Sequence, residues 1–185
     1  MSAQHNPESS PHDATTAWYE EAFQQEYLDI YLHRDLAEAA RAVRFLARAL
    51  ELDGHQRLLD LCCGPGRHLT FLKERAACAV GLDLSWPLLR RAQMHGREVH
   101  GESMPIAEPL LVRADMGRLP LADAAFDRVV NLFTSFGYFE EEARNQYVLD
   151  EVARVLRPGG RFAIDHINRD EMLAGLRPHS ERRLA

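Results

Sequence analysis

Cysteine is scarce. Cys62, Cys63 and Cys78 are the three in 185 residues, an odd count with two of them adjacent. That arithmetic argues against a disulfide framework and makes the reducing cytoplasm the expected setting. Nine histidines are scattered along the chain, none at a metal-ligand spacing from these cysteines, so no metal site is expected. No apolar run approaches the about 18 residues that a membrane-spanning helix needs. Excess positive charge is missing too: 22 Lys and Arg stand against 28 Asp and Glu, a formal charge of −6. A broad basic surface for nucleic acid is thereby disfavoured, and a small-molecule partner is expected. Residues 1–14 lack the apolar stretch of a signal peptide and read as a disordered leader. The expectation is one domain over residues 15–185 with its core in 36–167.

What is present is an alternation of two periodicities. Tyr19, Phe23, Tyr27 and Tyr31 recur at every fourth position, which predicts one aromatic stripe on a helix from Trp18 to Tyr31. Leu36, Ala39, Val43, Leu46 and Leu50 predict a core-facing helix behind it. Short apolar runs then predict strands at Arg57–Leu61, Ala76–Leu82, Leu110–Ala114, Phe126–Leu132 and Arg161–Ile167. Helical stretches separate them: Leu69 to Arg75, a helix capped by Ser85, and Glu140–Leu156, which Pro158-Gly159-Gly160 should end. His95–Pro109 reads as a long polar connection. Strands without internal alternation, interleaved with helices, predict an α/β fold. It is a Rossmann-like, doubly wound parallel sheet with helices on both faces.

In such a sheet, ligands bind beyond the carboxyl ends of the strands, where the winding reverses. Carboxylates and an amide collect there: Asp60 in the first strand, Asp83 after the second, Asp115 after the third and Asn131 in the fourth. The turn Cys63-Gly64-Pro65-Gly66 follows the first strand, and its glycines allow backbone to approach a ligand closely. A third glycine is absent, since Leu69 stands at its place, and no Gly-Lys-Ser/Thr follows. Dinucleotide and nucleoside-triphosphate loops are therefore not matched. Three carboxylates around one pocket repel a pyrophosphate and favour a cation. A carboxylate past the second strand can accept both ribose hydroxyls, and one past the third can accept an exocyclic amine. Together they point to a positively charged nucleoside.

Four segments carry a resemblance: LLDLCCGPGRHL, VGLDLS, VRADMGRLPLADAAFDRVV and LRPGGRFAID. As an ordered set they resemble the class I S-adenosylmethionine-dependent methyltransferases over about Leu36 to Asp165. The resemblance implies S-adenosyl-L-methionine as cofactor and in-line methyl transfer to a small molecule. It implies that Gly64, Gly66 and the Cys62 backbone line the methionyl part, with Asp60 beneath the amino group. Asp83 and Leu84 would meet the ribose, Asp115 and Met116 the adenine, and Asn131 and Phe133 the reacting methyl. Tyr27 or Tyr31 is expected to reach the methionyl end from the aromatic helix. His166 and Tyr138 are candidates for a catalytic base. Cys62 stands where many members of the family have glycine, and the antiparallel pair that usually follows the fifth strand is expected to be absent. The other reading is a non-catalytic or incomplete cofactor-binding domain, completed by a partner chain or a further C-terminal segment.

Overall fold

The computed structural model describes residues 18–30, 36–100 and 110–176. The expected leader at residues 1–14 and Tyr31 lie outside the described residues. Twelve elements run in the order α1 (Trp18–Ala22), α2 (Gln25–Ile30), α3 (Leu36–Ala49), β1 (Arg57–Leu61), α4 (Leu69–Leu72), β2 (Cys78–Asp83), α5 (Trp86–His100), β3 (Leu110–Arg113), β4 (Phe126–Asn131), α6 (Glu142–Val155), β5 (Leu156–Ile164) and α7 (Arg169–Ala174).

The five strands are all parallel, in the order β3-β2-β1-β4-β5. The described residues contain no antiparallel strand pair. The winding reverses at β1, flanked by β2 and β4, so the carboxyl ends of these strands open the crevice of a doubly wound sheet. Strand side chains alternate between two cores, as the period of two requires. Leu59, Leu61, Val80, Leu82 and Val129 pack with Val148, Val152 and Val155 of α6. Leu58, Ala79 and Val130 pack on the other side with Val43 and Leu46 of α3 and Leu69 and Leu72 of α4. Both faces are covered, which is why the strands read as continuous apolar runs. Gly81 makes this close fit possible, because a Cβ there would meet Leu69 Cδ2 at 2.5 Å.

Three expectations are corrected, and one helix goes beyond them. The single helix from Trp18 is two, broken at Phe23–Gln24. The Tyr27 amide bonds the Gln24 carbonyl at 3.2 Å, and the Phe23 carbonyl instead accepts from the Ser85 hydroxyl. The stretch from His95 is helical as far as His100, so α5 covers its beginning, and residues 101–109 lie outside the described residues. Pro158-Gly159-Gly160 does not separate helix from strand. β5 begins at Leu156, directly after α6, and the three residues form a bulge between the pairs Phe126–Leu156 and Arg128–Arg161. A proline that cannot donate, and Gly159 at φ 78°, are accommodated there because the bulge leaves them outside the paired register. Finally, α7 has a cap the sequence reading passed over: Asn168 accepts from the amides of Asp170 and Glu171.

Candidate functional site

A cavity of about 830 Å³ opens at the reversal point. Each strand on this side delivers one polar group to it, because each ends at the same edge. Asp60, the fourth residue of β1, faces the α4 side of the sheet beneath the turn that follows the strand. It is only 2% exposed, and its Oδ2 has no hydrogen-bond partner among the described residues. Burial, and then the nearby Asp83 carboxylate, push its pKa up to about 8. Asp83 ends β2 and is 8% exposed. Its Oδ2 accepts from the Gly64 amide and its Oδ1 from the Ser85 amide, each at 2.8 Å. Burial raises its pKa, and these amide bonds oppose the rise. Asp115, after β3, accepts from the Gly117 amide at 2.7 Å.

The backbone at the cavity is bent to suit. Cys62 has φ 61°, the left-handed conformation that glycine adopts at least cost, so a glycine-like turn is made here by a cysteine. Gly64 follows at φ 54°. Phe133 and Thr134, just past β4, are also left-handed, at φ 60° and 57°. The Phe133 amide donates to Asp165 Oδ2 at 3.2 Å, and the Thr134 amide to the Asp165 carbonyl at 3.1 Å. Burial pushes the Cys62 and Cys63 thiols well above their usual range, so both are neutral packing groups rather than nucleophiles.

Of the residues singled out from sequence, Tyr27, Asp60, Cys62, Gly64, Asp83, Leu84, Asp115, Met116, Phe133 and Tyr138 line this cavity. Three do not. Gly66 is a packing residue: a Cβ there would lie 2.7 Å from Ala92 Cβ, and its φ is 75°. It sets how closely α5 approaches the turn. Gly66→Ala is expected to lower unfolding free energy by about 2–4 kcal/mol, adding overpacking to a disfavoured φ. Chemical denaturation checks this, and an unchanged midpoint refutes it. Asn131 is 1% exposed and lies behind the wall, its Nδ2 donating to the Leu61 carbonyl at 3.0 Å. It ties the ends of β1 and β4 together. His166 is exposed and is not among the residues that line the cavity, its Nδ1 3.3 Å from the Ile167 carbonyl.

Residues the sequence reading passed over also line the cavity: Arg67, His68, Arg91, His95 and Arg113. Leu88, Arg91 and His95 recur at three and four positions along α5, a stripe that could have been read as facing the site. His95 Nδ1 lies 3.0 Å from the Pro65 carbonyl, which can only accept, so this nitrogen carries the proton and buttresses the glycine turn. Arg113 Nε donates to the Leu84 carbonyl at 3.0 Å. His68 is held neutral: burial, and then the neighbouring Arg67 charge, lower its pKa to about 4.

An aromatic wall closes the upper side. The Phe23 and Tyr138 rings stack at 5.5 Å and 12°, Tyr19 meets Phe139 edge-on at 5.6 Å, and Trp18 meets Tyr138 edge-on at 5.1 Å. The stripe expected on one helix therefore spans the break between α1 and α2: Trp18, Tyr19 and Phe23 seat on the loop after β4, and Tyr27 meets Phe23 edge-on at 5.0 Å. Among the described residues, no helix is long and apolar enough to cross a membrane, and no cluster of side chains could hold a metal ion.

Comparison with known proteins finds relatives of both the sequence and the fold. A family model described as a methyltransferase domain matches residues 58–160, more than half of the chain. A demethylmenaquinone methyltransferase of Thermus thermophilus is 37% identical over 131 residues, covering 66% of this chain and 53% of that protein. A solved S-adenosylmethionine-dependent methyltransferase of Mesorhizobium loti is 31% identical at a TM-score of 0.54, covering 70% of this chain and 54% of that one. A Pyrococcus horikoshii protein superposes at a TM-score of 0.63 with 24% identity, covering 90% of this chain and 70% of that one. The chain spans about half the length of the curated relatives it matches.

Proposed function

We propose, from the premise that this chain belongs to the methyltransferase domain family, that it binds S-adenosyl-L-methionine and transfers its methyl group to a small-molecule acceptor. The observation that carries the reading is the convergence of Asp60, Asp83 and Asp115, from the ends of three adjacent strands, on one cavity. Use of S-adenosylmethionine goes with the family; the residues that hold it are our assignment. The buried oxygen of Asp60 supports the fit, because it belongs to a residue that lines the cavity and has no hydrogen-bond partner among the described residues.

The cofactor supplies a methyl group on a sulfonium, a good leaving group. The chain's own residues supply positioning and dryness, and the rest of the assignment is theirs. Asp60 takes the amino group. Asp83, fixed by two backbone amides, keeps free lone pairs for ribose hydroxyls. Asp115 and the Met116 amide take the adenine edge, with Leu84 against the sugar. Phe133, Tyr138, Phe23 and Tyr27 surround the methyl with aromatic faces, which favour a cation and exclude water. No side chain is needed as a base unless the acceptor must lose a proton, and for that case Tyr138 is our candidate among the hydroxyls that line the cavity. A net charge of −6 supports a small molecule over nucleic acid as acceptor, and the cysteine usage supports a cytoplasmic setting.

The test is release of S-adenosylhomocysteine during incubation with S-adenosylmethionine and a broad acceptor library, beside calorimetry of nucleoside binding. Turnover with any acceptor supports the assignment. Tight nucleoside binding with no turnover across the library assigns the chain to the non-catalytic reading. Absence of nucleoside binding overturns both.

A further inference from the structure

The cavity has two banks, and one segment touches both. Ser85, just past the end of β2, stands on one bank, and Tyr138 and Phe139, on the loop after β4, stand on the other. The segment from Trp18 to Ile30, carrying α1 and α2, lies across them as a strap, and its Tyr19, Phe23, Gln24 and Tyr27 line the cavity. Rings hold it on the β4 bank, where Phe23 stacks on Tyr138 and Tyr19 meets Phe139 edge-on. A hydrogen bond holds it on the β2 bank. The break between the two helices leaves the Phe23 carbonyl without the Tyr27 amide, and the Ser85 hydroxyl donates to it. Ser85 is itself fixed from two sides. Its amide donates to Asp83 Oδ1 at 2.8 Å, and its hydroxyl oxygen accepts from the Leu88 amide, in the first turn of α5, at 3.3 Å. No described side chain of the strap is fully buried. A segment of that kind opens at less cost than the sheet beneath it.

We propose that this strap gates the donor cavity and that Ser85 is its pin: the donor enters and leaves while the bond from Ser85 to the Phe23 carbonyl is open, and that bond otherwise holds the strap across both banks. The inference rests on the reading of the cavity as the seat of a sulfonium donor and deepens it. Ser85 is a positioning residue, because it acts on the donor through the strap. Its place gives the pin its leverage, since it stands two residues from Asp83, the carboxylate assigned to the ribose, and is oriented by it. With the pin made, the Phe23 and Tyr27 rings lie over the site and keep water from it, as a lid does. With the pin lost, the open fraction rises in free and occupied protein alike. Entry and exit then quicken together, and the equilibrium between them barely moves.

Two variants remove the pin. Ser85→Ala loses the strap bond and the helix cap together, whereas Ser85→Gly loses the strap bond and leaves a tolerated N-cap residue. Ser85→Thr keeps the hydroxyl and serves as the rescue. In the free protein, amides of residues 18–30 are expected to exchange hydrogen about fivefold faster in the Ala and Gly variants, the scale of one hydrogen bond. Amides of β1 and β4 should be unchanged, and Ser85→Thr should match the wild type. Stopped-flow fluorescence then follows S-adenosylhomocysteine, since the two tryptophans are Trp18 in the strap and Trp86 beside the pin. Its association and dissociation rates should both rise about fivefold in the Ala and Gly variants, with affinity within about twofold of the wild type. Unchanged strap exchange overturns the proposal, including the case in which only the first turn of α5 quickens, because Ser85 is then a cap alone. Faster strap exchange with unmoved ligand rates overturns it too, since the strap then lies off the donor's path. A rise in dissociation alone makes Ser85 a support of the ribose site and not a gate. Failure of S-adenosylhomocysteine to bind the wild type is a separate result that sinks the donor reading, while the exchange measurements still judge whether Ser85 pins the strap.

Discussion

Asp83→Ala is expected to weaken binding of S-adenosylhomocysteine by about 1.5–3 kcal/mol, roughly 10- to 150-fold. The size follows from what the carboxylate is assigned to do. In the proposed complex it accepts ribose hydroxyls at a site 8% exposed, where water cannot replace a lost acceptor. The same carboxylate also holds the Gly64 and Ser85 amides, so the substitution loosens both turns that frame the nucleoside. A structural effect and a ligand contact are separated by a nucleoside lacking the 2′-hydroxyl. The wild type should lose affinity for that analogue relative to S-adenosylhomocysteine. The variant, with no carboxylate to miss the hydroxyl, should bind the two alike. If the variant discriminates between them as well as the wild type does, Asp83 supports the loops without touching the ribose.

Much of this arrangement can be read from the chain without coordinates. The apolar runs mark all five strands because a sheet covered on both faces needs no polar alternation. The carboxylates at their ends stand out because charge there breaks an otherwise apolar run. Gly64 is legible for the same local reason, as a turn that must take a positive φ. Gly66 shows the limit of such reasoning. Its neighbour in space is Ala92, 26 residues away in the chain, and no local pattern separates a glycine that meets a ligand from one that meets a helix. Asn131 is similar: a polar residue at a strand end is equally suited to a ligand and to the carbonyl of the next strand, and the β1–β4 pairing decides for the latter. The break between α1 and α2 is also non-local, since Ser85, 62 residues on, takes the carbonyl that would have continued the helix. Arg67 and His68 went unnoticed because a cation beside a glycine turn reads as solvated until the fold buries it.

Binding of S-adenosylmethionine or S-adenosylhomocysteine at pH 7 is expected to release close to one proton per molecule bound. The source is Asp60. Its pKa in the free protein is about 8, against 3.8 for an exposed aspartate, because burial and then Asp83 disfavour its charge. At pH 7 it is therefore mostly protonated. A ligand ammonium beside it reverses the balance and drives the proton off. Calorimetry in two buffers of different ionisation enthalpy reads the number directly. Release should shrink above pH 9, where Asp60 is already ionised, and vanish at pH 7 in Asp60→Asn. The same linkage fixes the pH dependence of the free fold. A group whose native pKa is raised contributes stability that is complete below its unfolded value and lost as pH rises through the native one. The free protein should thus lose stability between about pH 4 and pH 8 through this residue. Asp60→Asn should flatten that decline while weakening nucleoside binding, since its amide cannot neutralise an ammonium. Buffer-independent binding heats in the wild type would show that Asp60 is not the seat of the amino group.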